Sequence, residues 1–136
     1  MRRAPLLVAC LAVAALGAAG CGQSDDRDTV RATTERFLAA YKADEGETAC
    51  AALSQDTRKE LESQESKPCP DAIGQVKLEP GAVTRVHVTL TSAKVDLATG
   101  ESLFFSEQHA GWRIAALGCK PQGKPTAMPF DCELQA

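Results

Sequence analysis

Apolar and polar residues alternate along this chain with two different periods, and the change of period near residue 74 divides it into a helical part and a strand part. From Asp28, a plausible N-cap, Val30, Thr34, Phe37, Leu38 and Tyr41 recur on one face of a helix, with Arg31, Glu35, Arg36 and Lys42 opposite. Asp44-Glu45-Gly46 ends that helix, with Gly46 as its left-handed cap. A second short helix is expected over residues 47–53, burying Ala49, Cys50, Ala52 and Leu53. Ser54 is placed to cap a third over residues 55–63, mostly charged and apolar only at Leu61. Lys67-Pro68-Cys69-Pro70 then reads as a break that forbids helix.

Beyond Gly74 the alternation is that of strands. Val86, Val88 and Leu90 face away from Val83, Arg85, His87 and Thr89. Ala93, Val95 and Leu97 face away from Lys94 and Asp96. Thr91-Ser92, residues 98–101 and His109-Ala110-Gly111 separate four runs between residues 83 and 119, a meander that is antiparallel if each connection is a hairpin. Residues 75–78 suggest a short edge strand. The tail over residues 120–130, with Pro121, Pro125 and Pro129, reads as irregular. Helices followed by a meander make an α+β domain, its N-terminal helices packed on an antiparallel sheet of about four strands.

The first 20 residues follow neither pattern. Arg2-Arg3, an apolar run rich in Ala and Gly, and Leu16-Gly17-Ala18-Ala19-Gly20-Cys21 read as a lipoprotein signal peptide whose cleavage leaves Cys21 as an acylated N-terminus, with palmitate among its expected acyl chains. The run is too weakly apolar for a span and is followed by Asp25 and Asp26 rather than by a basic stop-transfer cluster. Cleavage after Ala12-Val13-Ala14 is the other reading, and it leaves Cys21 unused. Arg2-Arg3 suits either the general or the twin-arginine export route. The expected organisation is therefore signal peptide 1–20, flexible tether 21–27 and one domain 28–136 on the extracytoplasmic face of the cell membrane.

Cysteine usage agrees with that address. Of six cysteines, Cys10 lies in the signal, and setting Cys21 aside for lipid leaves Cys50, Cys69, Cys119 and Cys132. An even set suits a disulfide framework in an oxidising compartment. Three connectivities are open; proximity in sequence favours Cys50 with Cys69 and Cys119 with Cys132. Without a Cys-x-x-Cys a zinc site is not expected, nor is any other cofactor. The chain holds 15 Lys plus Arg against 18 Asp plus Glu, a formal charge of −3, and loss of Arg2 and Arg3 takes it to −5. No basic run is present to neutralise successive phosphates, which excludes nucleic acid as the expected partner and leaves lipid, not charge, to hold the protein at the membrane.

Phe37-Leu38-Ala39-Ala40-Tyr41, Ala49-Cys50, Pro68-Cys69, Leu103-Phe104-Phe105, the run from Gly111-Trp112-Arg113-Ile114 to Gly118-Cys119, and Phe130-Asp131-Cys132 together resemble the small actinobacterial envelope lipoproteins that carry a cone-shaped, nuclear transport factor 2-like domain. The resemblance covers most of the mature chain and is most specific at the Gly-Trp-Arg-Ile strand and the terminal Asp-Cys. It implies a three-helix wrap over a curved sheet, the same two disulfides, and no assigned reaction. Phe37, Tyr41, Phe105 and Trp112 become candidates for lining an apolar pocket at the mouth of the cone, core filling being their other use.

Some members of the wider superfamily are enzymes that use an aspartate base and aromatic hydroxyl donors, but here no carboxylate falls on an apolar strand face. Asp96 reads as half of a solvated ion pair with Lys94, His87 as part of an exposed polar row, and His109 as a turn residue. No catalytic residue is assigned. The expectation is a non-catalytic binding or accessory domain whose partner is a neighbouring envelope protein or a small apolar ligand; the alternative is a small-pocket enzyme of the isomerase or hydrolase type.

Overall fold

The computed structural model describes residues 21–123 and 129–136, with the side chain of Cys21 excepted. The signal peptide 1–20 and the acylation of Cys21 lie outside the described residues. Helix α1 (Cys21–Lys42) buries Val30, Thr34, Phe37, Leu38 and Ala40, the face that the spacing predicts. It begins earlier than expected. Residues 21–27, read from their polarity as a tether, are its first two turns, and Asp28 is an interior residue rather than a cap. A contact from the sheet, described below, holds this segment where local sequence does not ask for helix.

Asp44, not Gly46, takes the left-handed conformation after α1, with φ 55°, while the Glu45 N–H donates to the Ala40 carbonyl at 2.9 Å. Gly46 instead opens α2 (Gly46–Ala51), and it is required there for a different reason. A Cβ at that position would sit 2.1 Å from the Pro70 carbonyl oxygen. Ser54 caps α3 (Gln55–Glu65), accepting from the Thr57 N–H at 3.1 Å, and Thr57 and Leu61 are buried. Pro68 and Pro70 do not prevent α4 (Cys69–Ala72), because they occupy its N-cap and first turn, where no intrahelical N–H is needed. The Cys50–Cys69 disulfide joins α2 to α4. A single 3-10 turn over Ile73–Gln75 leads to an extended segment, so the edge strand expected at residues 75–78 does not form.

Five strands follow: β1 (Val83–Thr89), β2 (Ser92–Leu97), β3 (Ser102–Gln108), β4 (Gly111–Pro121) and β5 (Phe130–Gln135). They pair antiparallel in chain order to give an open sheet with β1 and β5 at its edges. The fold is thus α+β, with one strand more than the expected four. β5 pairs Cys132 with Cys119 of β4, where the second disulfide forms. The register slips where Gly118, at φ 65°, packs against the Glu133 side chain and the Lys77 carbonyl. The edge of β4 not covered by β5 is taken by the α2–α3 connection: Ser54 N–H donates to the Ile114 carbonyl at 2.8 Å and Ile114 N–H to the Ala52 carbonyl at 2.9 Å. α1 packs on β1, β2 and β4, and α3 on β4 and β5, so one core holds Phe37, Leu61, Val95, Leu103, Ile114, Leu117 and Leu134.

Candidate functional site

Of the four aromatic residues expected to line a pocket, Tyr41 borders two of the clefts described below and Phe37 a third, while Phe105 and Trp112 border none of them. Phe37, Phe105 and Trp112 are in the core at 0%, 2% and 4% exposure. Phe105 is opposite Ala93 and Ile114 in the sheet. The Trp112 indole N–H donates to Asp26 Oδ1 at 3.1 Å, and this charge-assisted bond fastens the second turn of α1 to β4. Tyr41 is only half-buried. Its ring lies 6.3 Å from that of Phe37, and its hydroxyl donates to the Val76 carbonyl at 2.7 Å.

Tyr41 borders a cleft of about 330 Å³ with the charged residues Lys77, Glu79, Glu101, Lys120 and Glu133 among its walls. Glu101, read from sequence as a turn residue, is 1% exposed. One carboxylate oxygen accepts from the Glu79 N–H at 3.0 Å; the other stands 3.4 Å from Lys120 Nζ, which also lies 3.8 Å from Glu79 Oε1. The bond to Glu101 and the charges of Glu79, Glu101 and Glu133 outweigh the opposing desolvation and raise the Lys120 pKa above its ordinary 10.5. Tyr41 from α1 and Glu101, just before β3, each bond the backbone of the extended segment after residue 75, at Val76 and at Glu79. The polar groups here clamp the helical layer to the sheet.

A second cleft of about 260 Å³ is bordered by Tyr41, Asp44, Glu45, Pro70 and Asp71. Among the described residues no cluster of three or more His, Cys, Asp or Glu is arranged to hold a metal ion. A third, of about 230 Å³, opens between α1, α2 and β4, where Thr33 and Arg36, Thr48, and Arg113 surround the buried Phe37 and the small Ala51 and Ala52. Arg113 is half-buried and donates from Nη1 to the Trp112 carbonyl at 3.0 Å.

The remaining candidates lie outside these clefts. Lys94 Nζ is 2.8 Å from Asp96 Oδ1, which also accepts from Ser102 Oγ at 2.8 Å. Burial pushes the Asp96 carboxyl up, but the hydrogen bonds from Lys94 and Ser102 and the charges of Lys94 and Arg85 together hold it below its ordinary 3.8. Lys94 also stands 5.0 Å over the ring of Phe130. His87 is exposed and exchanges a hydrogen bond with Thr89 at 3.1 Å; His109 is exposed in the β3–β4 turn.

Comparison with protein-family profiles, with curated proteins and with solved structures gives no match. Two features escaped the reading of the sequence. Glu101 follows Thr99-Gly100 and looks like any solvated turn carboxylate. Arg36 and Arg113 are 77 positions apart, and only the packing of α1 against β4 makes them neighbours of one cleft. Neither left a local signal.

Proposed function

We propose that this chain is a lipid-anchored extracytoplasmic domain, held at the membrane through Cys21, that acts by binding and not by catalysis, on a cone-like fold of the nuclear transport factor 2 type. The observation that carries this reading is the cysteine inventory. The disulfides Cys50–Cys69 and Cys119–Cys132 account for all the mature cysteines but one, and the remaining one ends the lipobox. The leader sequence supports export, and the disulfides suit an oxidising compartment. The non-catalytic reading is supported by the use made of the titratable groups. Tyr41, Glu101 and Lys120 bond to the connecting segment or to one another, and Asp96 to Lys94 and Ser102.

The test of the anchor is Cys21→Ala in the natural host, followed by membrane fractionation and by labelling with an alkyne palmitate. Wild type should take up label and sediment with membranes; the variant should do neither. A variant that still sediments after detergent-free washing removes the anchor from the proposal. Crosslinking in cells from the anchored protein, read by mass spectrometry, tests the binding role, and recovery of nothing beyond bulk lipoproteins counts against it. One observation favours the alternative, a small-pocket enzyme: Tyr41 and the buried Glu101 border the same cleft. Its consequence is turnover of an added substrate that is lost in Tyr41→Phe.

A further inference from the structure

Among the described residues neither the Arg36 nor the Arg113 guanidinium forms an ion pair. Both border the cleft between α1, α2 and β4, and no carboxylate is among the residues that line it. The polar residues that join them are Thr33, one turn before Arg36 on α1, and Thr48 on α2, each with a hydroxyl able to donate. Arg113 spends one N–H on the Trp112 carbonyl, which fixes the guanidinium beside the strand and leaves its other donors. Arg36 is exposed and free to close from the opposite wall.

The geometry points to an oxyanion site in this cleft, with the phosphate of a small monoester as ligand. Two guanidinium groups match a dianion in charge, and the planar fork of each suits two phosphate oxygens at once. The hydroxyls of Thr33 and Thr48 supply neutral donors. Ala51 and Ala52 give the organic part of the ester a small apolar wall, and at about 230 Å³ the cleft admits a compact group and excludes a large one. This inference gives the binding reading a ligand class; it does not depend on the anchor at Cys21. A phosphate monoester reaches such a site from solution or as the headgroup of phosphatidic acid, and the chemistry of recognition is the same for both.

The test is calorimetric titration of the purified protein in neutral detergent at fixed ionic strength, with inorganic phosphate, with glycerol 3-phosphate, and with micelles doped with phosphatidic acid. Saturable one-to-one binding of at least one probe is expected, weakened tenfold or more in Arg36→Gln and in Arg113→Gln, and unchanged in Arg58→Gln, whose guanidinium is paired with Glu62 on α3. Binding of the soluble probes identifies the source as solution; binding of doped micelles alone identifies it as lipid. Arg36 is exposed on α1, so its variant remains informative if Arg113→Gln unfolds. Absence of saturable binding of all three probes at 10-fold excess over ~1 mM, or equal affinity in wild type and Arg36→Gln, overturns the site. Sedimentation with membranes is scored in parallel, so loss of phosphate binding with the anchor intact separates the failure of this site from failure of the envelope assignment.

Discussion

Replacing Glu101 by alanine removes a carboxylate that is 1% exposed and accepts the Glu79 N–H at 3.0 Å. A hydrogen bond to a charged group contributes about 1.5–3 kcal/mol, and the lost buried methylene adds about 0.8 kcal/mol. The expected destabilisation is therefore about 2.3–3.8 kcal/mol, measured by urea denaturation followed by circular dichroism. Glu101→Gln keeps the methylenes and one acceptor for Glu79, and since a neutral bond is roughly half as strong as a charged one it should cost on the order of 1 kcal/mol. Lys120→Ala should cost least of the three, because Lys120 is 57% exposed and water replaces it. Amide exchange at Glu79 supplies a local readout: it should accelerate in Glu101→Ala and not in Lys120→Ala. The clamp reasoning fails if Lys120→Ala is as damaging as Glu101→Ala, since the ion pair would then be the principal bond, or if Glu101→Ala costs under ~1 kcal/mol.

The Cys50–Cys69 bridge closes a loop at a separation of 19 residues, so Cys50→Ala with Cys69→Ala should cost about 3 kcal/mol and lower Tm by on the order of 10 °C in a thermal melt under oxidising conditions. Gly46→Ala places a Cβ 2.1 Å from the Pro70 carbonyl and should destabilise by about 1–3 kcal/mol, whereas Gly74→Ala, which meets nothing within 4 Å, should leave the melt almost unchanged. The raised pKa of Lys120 makes its contribution to stability present below pH 10.5 and lost as pH rises beyond it; Lys120→Ala should flatten the alkaline limb of a stability–pH curve. The lowered pKa of Asp96 works in the opposite direction, present above pH 3.8 and lost as acid is added, so Asp96→Asn should flatten the acid limb.

The elements that the sequence announces are those in which local pattern and burial agree. Val30, Thr34, Phe37 and Leu38 lie on one helical face and are buried; Ala93, Val95 and Leu97 alternate and are buried. The departures have separate physical causes. β5 is hidden because its only fully buried residue is Leu134, and its place in the sheet comes from pairing with β4 and from the bridge between Cys119 and Cys132. Pro68 and Pro70 look like helix breakers until their positions at the cap and first turn are known. Gly46 looks like a cap because the carbonyl that demands a glycine belongs to Pro70, 24 residues on. At the site level the cysteines were legible as an even set, since their number is a property of the chain. The partners of Glu101 were not, because Glu79 and Lys120 meet it only across the fold.

The bond between Trp112 and Asp26 bears on how the protein would be carried on a membrane. Seven loose residues between an acyl chain and a domain make a leash of up to about 24 Å, along which the domain samples every orientation. Residues 21–27 wound into α1 rise only about 10 Å, and Trp112 fixes the helix to the sheet at Asp26, the sixth residue of the helix. Acylated at Cys21, the domain would stand on a short rigid post at nearly constant height. A partner would then meet it from one side and at one level, and the loss of rotational freedom that weakens a leashed encounter would already have been met within the folded chain.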